Sequence, residues 1–335
     1  MKSSVTTTTA CLFFIGCFCL CCCDVHSFGT AFKATSSSSS SSIGRSRSTK
    51  IIIPPNAARK TSLLAASTTI NAADIDRLAA DGYCVIPNFI SDDLVSDLAG
   101  DVQKLRSHEK FNIARIGQDS TNALNEDIRV AETCFLGPTK LEDMPSSARD
   151  KLYEALDGAR STLSSNSKLD VMDASTGELV QCAPALVPNL TEMLYAYYPK
   201  GGFYRRHRDA IPKSASVLRC FSLLLYLNQD WKREDGGELR MHFDSGGDFL
   251  PDGEAANFID VEPRAGTLVL FRSDKVPHEV LDTNSERLAV VGWYNRAVTA
   301  GDVDALASDE DKTRLLMLAV SATLVLAGTV SLIMG

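Results

Sequence analysis

The chain has 335 residues, of which 44% are hydrophobic, and it carries a formal net charge of -8 at pH 7. That length can bury one sizeable hydrophobic core or two small ones. The acidic balance disfavours non-specific binding to nucleic acid, because a domain that seeks phosphate is usually basic. We therefore expect no nucleic-acid partner.

The N-terminus is set apart from the folded body by its composition. An apolar stretch of 14 residues, 10–23, follows Lys2 and a run of threonines. It is too short to cross a bilayer comfortably and fits the apolar part of a signal peptide, which we place at residues 1–23. Six of the ten cysteines lie in it. The remaining four show no Cys-x-x-Cys spacing, so neither a zinc knuckle nor a disulfide framework is indicated: Cys84, Cys134, Cys182 and Cys220.

Residues 24–69 differ from both of their neighbours. They contain six basic side chains, one acidic side chain and a run of seven serines. A segment of this kind cannot bury enough apolar surface to fold alone, and its composition is typical of a disordered transit peptide. A signal peptide followed by such a segment resembles the bipartite leader of plastid proteins, with Phe28 near the cleavage point. The alternative is the endoplasmic reticulum or secretory pathway, with residues 24–69 as a disordered linker.

The C-terminal end contains 20 consecutive uncharged residues, 315–334. A helix of that length extends about 30 Å, the thickness of the hydrocarbon core of a bilayer. Acidic residues at 309–311 and the basic Lys312 and Arg314 precede it, as charges at a membrane interface would. We predict a transmembrane helix over 315–334, joined to the body by a linker over 299–314, and hence a membrane-anchored protein.

The folded body begins with helix signals. The stretch DIDRLAADG ends at Gly82, as a helix C-cap would, and SDDLVSDLAGDVQKLRS has Ser91 in the N-cap position with acidic residues in its first turn. The intervening YCVIPNFI is typical of a strand, and SSARDKLYEALDGARSTLSS is typical of a further helix. His108, near the end of the second helix, is expected to be solvated. We predict that residues 70–189 form an N-terminal helical support for the domain that follows.

The second half of the body has a different pattern. Short apolar runs are separated by Gly, Pro, Asp and Asn, which is typical of many short strands joined by turns. The runs are TEMLYAYYP, VLRCFSLLLYLN, GELRMHF, NFIDVEP, GTLVLFRS, PHEVL and RLAVVGWYN. We predict an antiparallel sandwich or barrel over residues 190–298, and therefore a mainly β fold class with a helical buttress (α+β).

Three of the five histidines fall in this strand-rich region. His242 lies inside a strand-like run and is expected to be structural. His207 and Asp209 are two positions apart, so on an extended segment both side chains point to one face and can bind one metal ion. His278 follows Asp209 by 278 − 209 = 69 residues, which allows intervening strands to bring it back. Two imidazoles and a carboxylate that leave open coordination positions form the facial triad of non-haem Fe(II) oxygenases.

Three arginines surround His207 in the stretch YRRHRDA. Alternation along an extended segment places Arg205 on the face of His207 and turns Arg206 and Arg208 away from the metal. We expect all three to be solvated surface charges rather than catalytic groups. A role in holding an acidic peptide is the alternative.

Arg287 follows His278 by nine positions and adds a second chemical feature. The stretch HEVLDTNSERLAVVGWY is typical of a hairpin, in which a turn with an even number of residues would put His278 and Arg287 on the same face. A guanidinium in that cavity can hold a carboxylate through two parallel hydrogen bonds. This suits 2-oxoglutarate, because its keto acid end chelates iron and its far carboxylate needs a cation.

Together these motifs resemble those of Fe(II)/2-oxoglutarate-dependent dioxygenases, in particular the prolyl 4-hydroxylase branch that includes the oxygen-sensing prolyl hydroxylases. The resemblance covers DGYCVIPNFI and residues 193–296, with five stretches in the same order and spacing. They are YYPKGGFYRRHRD, RCFSLLLYLNQDW, GGELRM, DVEPRAGTLVLF and PHEV…R…VVGWY. The resemblance implies a double-stranded β-helix core, which is a jelly-roll or cupin-like fold, with iron at one mouth.

The resemblance also implies roles for individual residues. They are iron ligands at His207, Asp209 and His278, 2-oxoglutarate-binding side chains at Arg287, Tyr226 and Tyr198, and positions near the substrate at Trp293 and Arg219. The hydroxyl of Tyr226 would bind the same carboxylate of 2-oxoglutarate as Arg287. Val291 replaces a polar residue that some members place beside 2-oxoglutarate, which bears on co-substrate affinity. No catalytic residue is expected beyond the metal ligands.

The activity that the resemblance implies is hydroxylation of a substrate with O2, with release of succinate and CO2 from 2-oxoglutarate and with L-ascorbate to re-reduce stalled iron. A peptidyl proline in a peptide or protein is the expected target, and residues 244–257 are expected to set specificity. Two alternatives stay open: the same chemistry on a different side chain or a small metabolite, and a non-catalytic cupin-like metal-binding module. A zinc hydrolase could use the same ligands but leaves Arg287 and Tyr226 unexplained.

Overall fold

The structure, a computed structural model, describes residues 69–116, 123–137, 141–172, 179–181, 184–188, 192–211, 214–243 and 257–298, together with residues 302, 312 and 313. All of these belong to one compact unit, Ser46–Gly335. The predicted signal peptide (1–23), transit-like segment (24–69, except Thr69), most of the linker (299–314) and the spanning helix (315–334) lie outside them. None of the helices within the described part combines the length and the apolar composition that a membrane crossing requires.

The helices lie where the sequence predicted them. They are α1 (Ala72–Asp81), α2 (Asp92–Ser107) and α3 (Ser147–Ser164). Helix α1 ends at Gly82, whose φ of 80° lies in the left-handed region that favours glycine. Helix α2 begins after Ser91, whose hydroxyl accepts a hydrogen bond from the Leu94 N–H at 3.2 Å. Ser146 caps α3 in the same way.

The strands form antiparallel sheets. Their bounds are β1 (Tyr83–Ile86), β2 (Asn112–Ile113), β3 (Arg129–Val130), β4 (Glu132–Phe135), β5 (Asp170–Met172), β6 (Leu179–Gln181), β7 (Met193–Tyr198), β8 (Phe203–His207), β9 (Arg219–Tyr226), β10 (Leu239–His242), β11 (Phe258–Val261), β12 (Leu268–Arg272), β13 (His278–Val280) and β14 (Arg287–Asn295). Within the described ranges, the order is β1-β12-β9-β14-β7-β4-β2 in a seven-stranded sheet and β11-β10-β13-β8-β3 in a five-stranded sheet, with β5-β6 apart.

The mainly β fold class with a few helices is confirmed, and every apolar run in the second half contains one of these strands. The segment predicted as helical support contributes more strand than expected. Strand β4 pairs with β7 in the larger sheet, and β3 pairs with β8 in the smaller one. Strands β2 and β3 have two residues each, too few for a periodic pattern to reveal.

Alternate residues of the larger sheet enter two different cores. In β9, Leu223 and Leu225 pack with the helices, whereas Leu224 and Tyr226 lie in a second core that also contains Met241 of the smaller sheet. Strand β12 alternates in the same way. Because successive side chains of a strand point to opposite faces, one face of the larger sheet carries the helices and the other faces the smaller sheet. The predicted site residues lie in this space between the sheets.

The predicted hairpin between His278 and Arg287 is wrong. Strand β13 pairs with β8 and β10 in the smaller sheet, whereas β14 pairs with β7 and β9 in the larger one. The connection therefore crosses from sheet to sheet. It is held by Thr283, whose carbonyl accepts from the Gly201 N–H at 2.7 Å and whose hydroxyl accepts from the Gly202 N–H at 3.0 Å. A strand, polar turn and strand give the same local sequence pattern in a hairpin and in such a crossing.

A buried ion pair joins the helical layer to the larger sheet. Asp101 of α2 accepts a hydrogen bond from the Tyr195 hydroxyl of β7 at 3.0 Å and pairs with the Arg149 Nε of α3 at 3.0 Å. All three side chains are buried. Asp97, one turn earlier on α2, forms an exposed pair with Lys151 at 3.9 Å. The two aspartates thus offer a matched comparison on one helix.

We expect Asp101→Ala to lower the free energy of unfolding by about 3–5 kcal/mol, because it leaves the Arg149 guanidinium buried and unpaired. Asp97→Ala should lower it by less than about 1 kcal/mol, since exposed pairs contribute little. Urea denaturation followed by circular dichroism measures both values. Equal losses for the two variants would contradict the assignment of Asp101 as the residue that couples the layers.

Candidate functional site

The three predicted metal ligands lie together between the sheets. His207 is the last residue of β8, Asp209 follows two residues later, and His278 is the first residue of β13. One ligand atom from each side chain lies within 4.8 Å of the others, and all three side chains are buried. The Nε2 atoms of His207 and His278 lie 3.5 and 3.6 Å from the carboxylate oxygens of Asp209. No other group of this kind occurs in the part of the chain that the structure describes.

A β-bulge in β8 sets the direction of these side chains. His278 lies opposite His207, but Val280 lies opposite Tyr204, so three steps on β8 match two on β13. The extra residue brings Tyr204 and His207 to the same side, where their rings stack at 3.7 Å. Because of the same extra residue, the side chains of β8 do not alternate regularly between the two faces of the sheet. Arg205 was placed on the face of His207, but its guanidinium packs on the Phe203 ring and pairs with a surface carboxylate, with 37% of the side chain exposed. It is a surface charge as expected, whereas Arg206, also expected to be solvated, is buried.

Backbone carbonyls fix the protonation of both imidazoles. The Nδ1 of His207 lies 2.8 Å from the Arg205 carbonyl oxygen, and the Nδ1 of His278 lies 3.1 Å from that of Val276. A carbonyl can only accept, so each Nδ1 carries a proton, and in a neutral imidazole Nε2 is then the atom with the lone pair. Such partners orient ligating histidines in metal sites. Both rings therefore present Nε2 to the space beside Asp209.

Burial and neighbouring charges hold the ligands in the state that a metal requires. Burial and the nearby His207 lower the pKa of His278 from 6.5 to about 4. Burial disfavours the charged form of Asp209, but His278 and His207 outweigh it and hold the pKa of that carboxyl well below its usual range. At neutral pH, His278 is thus neutral and Asp209 is ionised, and metal binding need not displace a proton from either.

A second group of polar side chains lies further along the same space. Arg287, the first residue of β14, is buried, and its Nε donates to the Gly237 carbonyl at 2.8 Å. Its Cζ lies 4.9 Å from the Tyr198 ring centre and 5.2 Å from that of Tyr226. Among the described residues, neither terminal nitrogen of Arg287 nor the Tyr226 hydroxyl has a hydrogen-bond partner. Gly237 has to be glycine here, because a Cβ would lie 2.9 Å from the Arg287 Cδ.

Arg219 and Trp293, predicted near the substrate, lie together beside Asp209. The Arg219 Cζ lies 3.8 Å from the Trp293 ring centre. Its guanidinium donates to both carboxylate oxygens of Glu192, at 3.0 and 3.2 Å, and to the Asp209 carbonyl at 3.1 Å. The Nε1 of Trp293 is buried and has no hydrogen-bond partner within the described part. Arg219 is therefore held by its neighbours, whereas Trp293 keeps an unused donor.

The other histidines of the described chain stay outside this site. His242 is buried on β10, where its Nε2 lies 2.9 Å from a Glu279 carboxylate oxygen. Glu279 alternates with His278 along β13, so this pair lies on the opposite face of the smaller sheet. His108 is exposed at the end of α2. Both histidines are placed as the sequence predicted.

Two serines that the sequence analysis missed belong to the site. Ser222 lies on β9 and donates to the Oδ2 of Asp209 at 2.6 Å, and the Ser273 hydroxyl lies 2.9 Å from that of Ser222. Both serines are fully buried. Ser222 stands alone as a polar residue in the buried run CFSLLL, a signal that could have marked it.

Comparison with known proteins identifies the domain that carries this geometry. Residues 193–295 match the model of the 2OG-Fe(II) oxygenase superfamily. This domain belongs to that superfamily. The matched range contains the three metal ligands, Arg287 and both tyrosines beside it.

Individual relatives extend the likeness beyond the matched domain. Mouse Egl nine homolog 1 is 26% identical over 216 residues, covering 64% of this chain and 46% of that protein. The hypoxia-inducible factor prolyl hydroxylase of Caenorhabditis elegans is 25% identical over 219 residues, covering 64% of this chain and 26% of that protein. The chain thus spans less than half the length of either relative.

A solved structure shows the fold. A prolyl hydroxylase from Trichoplax adhaerens, in complex with a peptide fragment of the hypoxia-inducible factor oxygen degradation domain, is 23% identical, with a TM-score of 0.50. The likeness covers 67% of this chain and 87% of that chain. The 2OG oxygenases have a double-stranded β-helix fold, so the predicted core is confirmed.

The residues present fit the groups that this superfamily implies. Two imidazoles and one carboxylate suit Fe(II), and they leave coordination positions open. The terminal nitrogens of Arg287 and the Tyr226 hydroxyl, which lack partners among the described residues, are buried donors close to one another, as an anionic carboxylate would need. Burial raises the pKa of Tyr226 to about 12, against the opposing effect of Arg287, so its hydroxyl keeps its proton and can donate.

We expect the metal-free protein to lose stability as the pH falls from about 6.5 to about 4. His278 has a folded-state pKa of about 4 and an ordinary value of 6.5, so the unfolded chain binds its proton first in that window. His278→Gln removes this contribution and should show a shallower decline. Urea denaturation with a chelator, at several pH values, measures the two slopes. Parallel slopes would show that His278 titrates normally in the folded state.

Proposed function

We propose that this chain is an Fe(II)- and 2-oxoglutarate-dependent dioxygenase that hydroxylates a peptide or protein, with proline as the target residue. The observation that carries the proposal is the buried Arg287 guanidinium, which lacks partners for two of its nitrogens among the described residues, in the same space as the His207, Asp209 and His278 cluster. Leaving such a charge unpaired costs several kcal/mol. A co-substrate carboxylate would remove that cost.

The metal would be held by the Nε2 atoms of His207 and His278 and by the Asp209 carboxylate. With iron and 2-oxoglutarate bound, O2 is reduced, 2-oxoglutarate is converted to succinate and CO2, and a substrate C–H bond becomes C–OH. The chain supplies geometry and exclusion of water to this chemistry. Phe271, whose ring centre lies 4.5 Å from that of His278, shields one side of the ligand cluster from water.

Arg287 and Tyr226 would bind the far carboxylate of 2-oxoglutarate. Both side chains are buried, so their hydrogen bonds form away from competing water. Tyr198 packs on the Arg287 guanidinium and limits its rotation. These side chains would thereby hold the co-substrate at its far carboxylate.

Trp293 and Arg219 would lie at the substrate side of the metal. The Nε1 of Trp293, which has no partner in the described part of the chain, is a donor that suits a peptide carbonyl, whereas Arg219 holds the Trp293 ring and the Asp209 backbone in place. The Caenorhabditis elegans relative is a hypoxia-inducible factor prolyl hydroxylase, which supports proline as the target. The same chemistry on another side chain or on a small metabolite is the second candidate, because residues 244–256 of the expected specificity segment lie outside the described residues.

Ascorbate dependence and cellular location are further parts of the proposal. L-Ascorbate would re-reduce iron after turnover without substrate. The composition of residues 1–69 supports delivery to a plastid, with the secretory pathway as the alternative, and the apolar residues 315–334 support a membrane anchor. Fusion of residues 1–69 to a fluorescent reporter tests the location.

The first test of the activity is succinate release. The protein with Fe(II), 2-oxoglutarate, ascorbate and O2 should release succinate slowly alone and faster with proline-rich peptides, and mass spectrometry should detect hydroxyproline. Succinate without peptide stimulation would favour the second candidate. Absence of succinate under every condition would favour a non-catalytic metal-binding module.

The second test concerns Arg287. We expect Arg287→Gln to weaken 2-oxoglutarate binding by at least about 30-fold, because losing one partner of a buried charged pair costs about 2–5 kcal/mol. Arg240→Gln is the matched control, since Arg240 holds Asp260 with bonds of 2.7 and 3.0 Å on the opposite face of the smaller sheet. Isothermal titration without O2 measures both affinities. Similar weakening in the two variants would remove Arg287 from the co-substrate site.

A further inference from the structure

Asp209 differs from the other two ligands in how its backbone is held. His207 and His278 are ladder partners in neighbouring strands, so the sheet itself sets their separation. Asp209 lies two residues beyond the end of β8, outside any strand. Its position therefore depends on hydrogen bonds from other elements, and the structure shows which they are.

The side chain of Asp209 ends a chain of two hydroxyls. An ionised carboxylate can only accept, so the 2.6 Å contact is donated by Ser222. Ser222 has one proton, which leaves its lone pair to accept from Ser273 at 2.9 Å. The bonds therefore run from Ser273 to Ser222 to Asp209. Each bond polarises the next in a buried environment.

The backbone on both sides of the Asp209 carboxylate is braced as well. The Ala210 N–H donates to the Ser273 carbonyl at 3.1 Å, and Arg219 donates to the Asp209 carbonyl at 3.1 Å. Ser273 thus supports the segment that contains Asp209 and Ala210 in two ways, directly through its own carbonyl and indirectly through Ser222. Ser222 lies on β9 and Ser273 directly follows β12, two neighbouring strands of the larger sheet. The larger sheet therefore places the one ligand that the smaller sheet does not hold.

We propose that Ser222 and Ser273 are positioning residues that make Asp209 a one-oxygen ligand. Each carboxylate oxygen lies near one histidine, with Oδ1 3.5 Å from the His207 Nε2 and Oδ2 3.6 Å from the His278 Nε2. Because Oδ2 already accepts from Ser222, we assign Oδ1 as the oxygen offered to the metal. This inference rests on the proposed function. A carboxylate that offers one oxygen would leave more coordination positions of the metal open to other ligands than a carboxylate that offers two.

Metal binding tests the inference without relying on turnover. Co(II) is titrated into metal-free protein under nitrogen, and its visible absorption reports coordination number. We expect Ser222→Ala to weaken Co(II) binding by about 10–100-fold, the usual effect of losing a partner of a metal ligand, and to change the spectrum. Ser222→Thr keeps the hydroxyl and should restore both. Ser164→Ala, which removes a hydroxyl that accepts from the Leu186 N–H at 2.9 Å, is the control.

The order of the hydrogen bonds, from Ser273 to Ser222 to Asp209, gives a second criterion. Ser273→Ala should weaken Co(II) binding less than Ser222→Ala, and the double variant should bind like Ser222→Ala alone, because Ser273 acts through Ser222. Thermal unfolding of the metal-free variants shows whether they fold. If folded Ser222→Ala binds Co(II) like wild type with the same spectrum, the inference is wrong. If wild type binds no Co(II), the proposed function fails with it, which distinguishes the two failures.

Discussion

The pairing of β8 with β13 is the contact on which the site depends. It sets His207 directly opposite His278, and the carbonyls of Arg205 and Val276 complete the arrangement by holding each ring through Nδ1. The separation of the two imidazoles is therefore set before a metal binds, because the two residues are paired in the ladder. The separation of the two histidines is thus set by the backbone hydrogen bonds between β8 and β13.

The rest of the pocket follows from alternation in the larger sheet. The same strands that pack leucines against the helices present Tyr226 and Arg287 to the space between the sheets. A buried guanidinium with two nitrogens unpartnered among the described residues carries a cost that a bound anion would remove, and Gly237 and Tyr198 keep it in place. The domain thereby gives up some stability to keep a prepared binding site for an anion.

The sequence revealed the chemistry of the site better than its geometry. The spacing of His207, Asp209 and His278 was enough to predict that they form one set of ligands. The capping residues were enough to predict the helix ends. The hairpin before Arg287 was wrong, yet Arg287 still faces the ligands, because the inner faces of both sheets look onto one space. The bulge that turns Arg205 outward depends on pairing with a strand 71 positions away (278 − 207), which no local pattern encodes. Ser222 was missed because a single serine in an apolar strand does not indicate which side chain it contacts.

The donor set of this site has a consequence for which ion it holds. Two histidine nitrogens and one carboxylate oxygen bind nickel, copper and zinc more tightly than ferrous iron, following the general order of divalent affinities. The preformed geometry around His207 and His278 does not reverse that order, since it presents the same atoms to every ion of similar size. Occupancy by iron is therefore decided by which ions are abundant where the chain folds. The compartment in which the chain folds therefore contributes to its metal specificity.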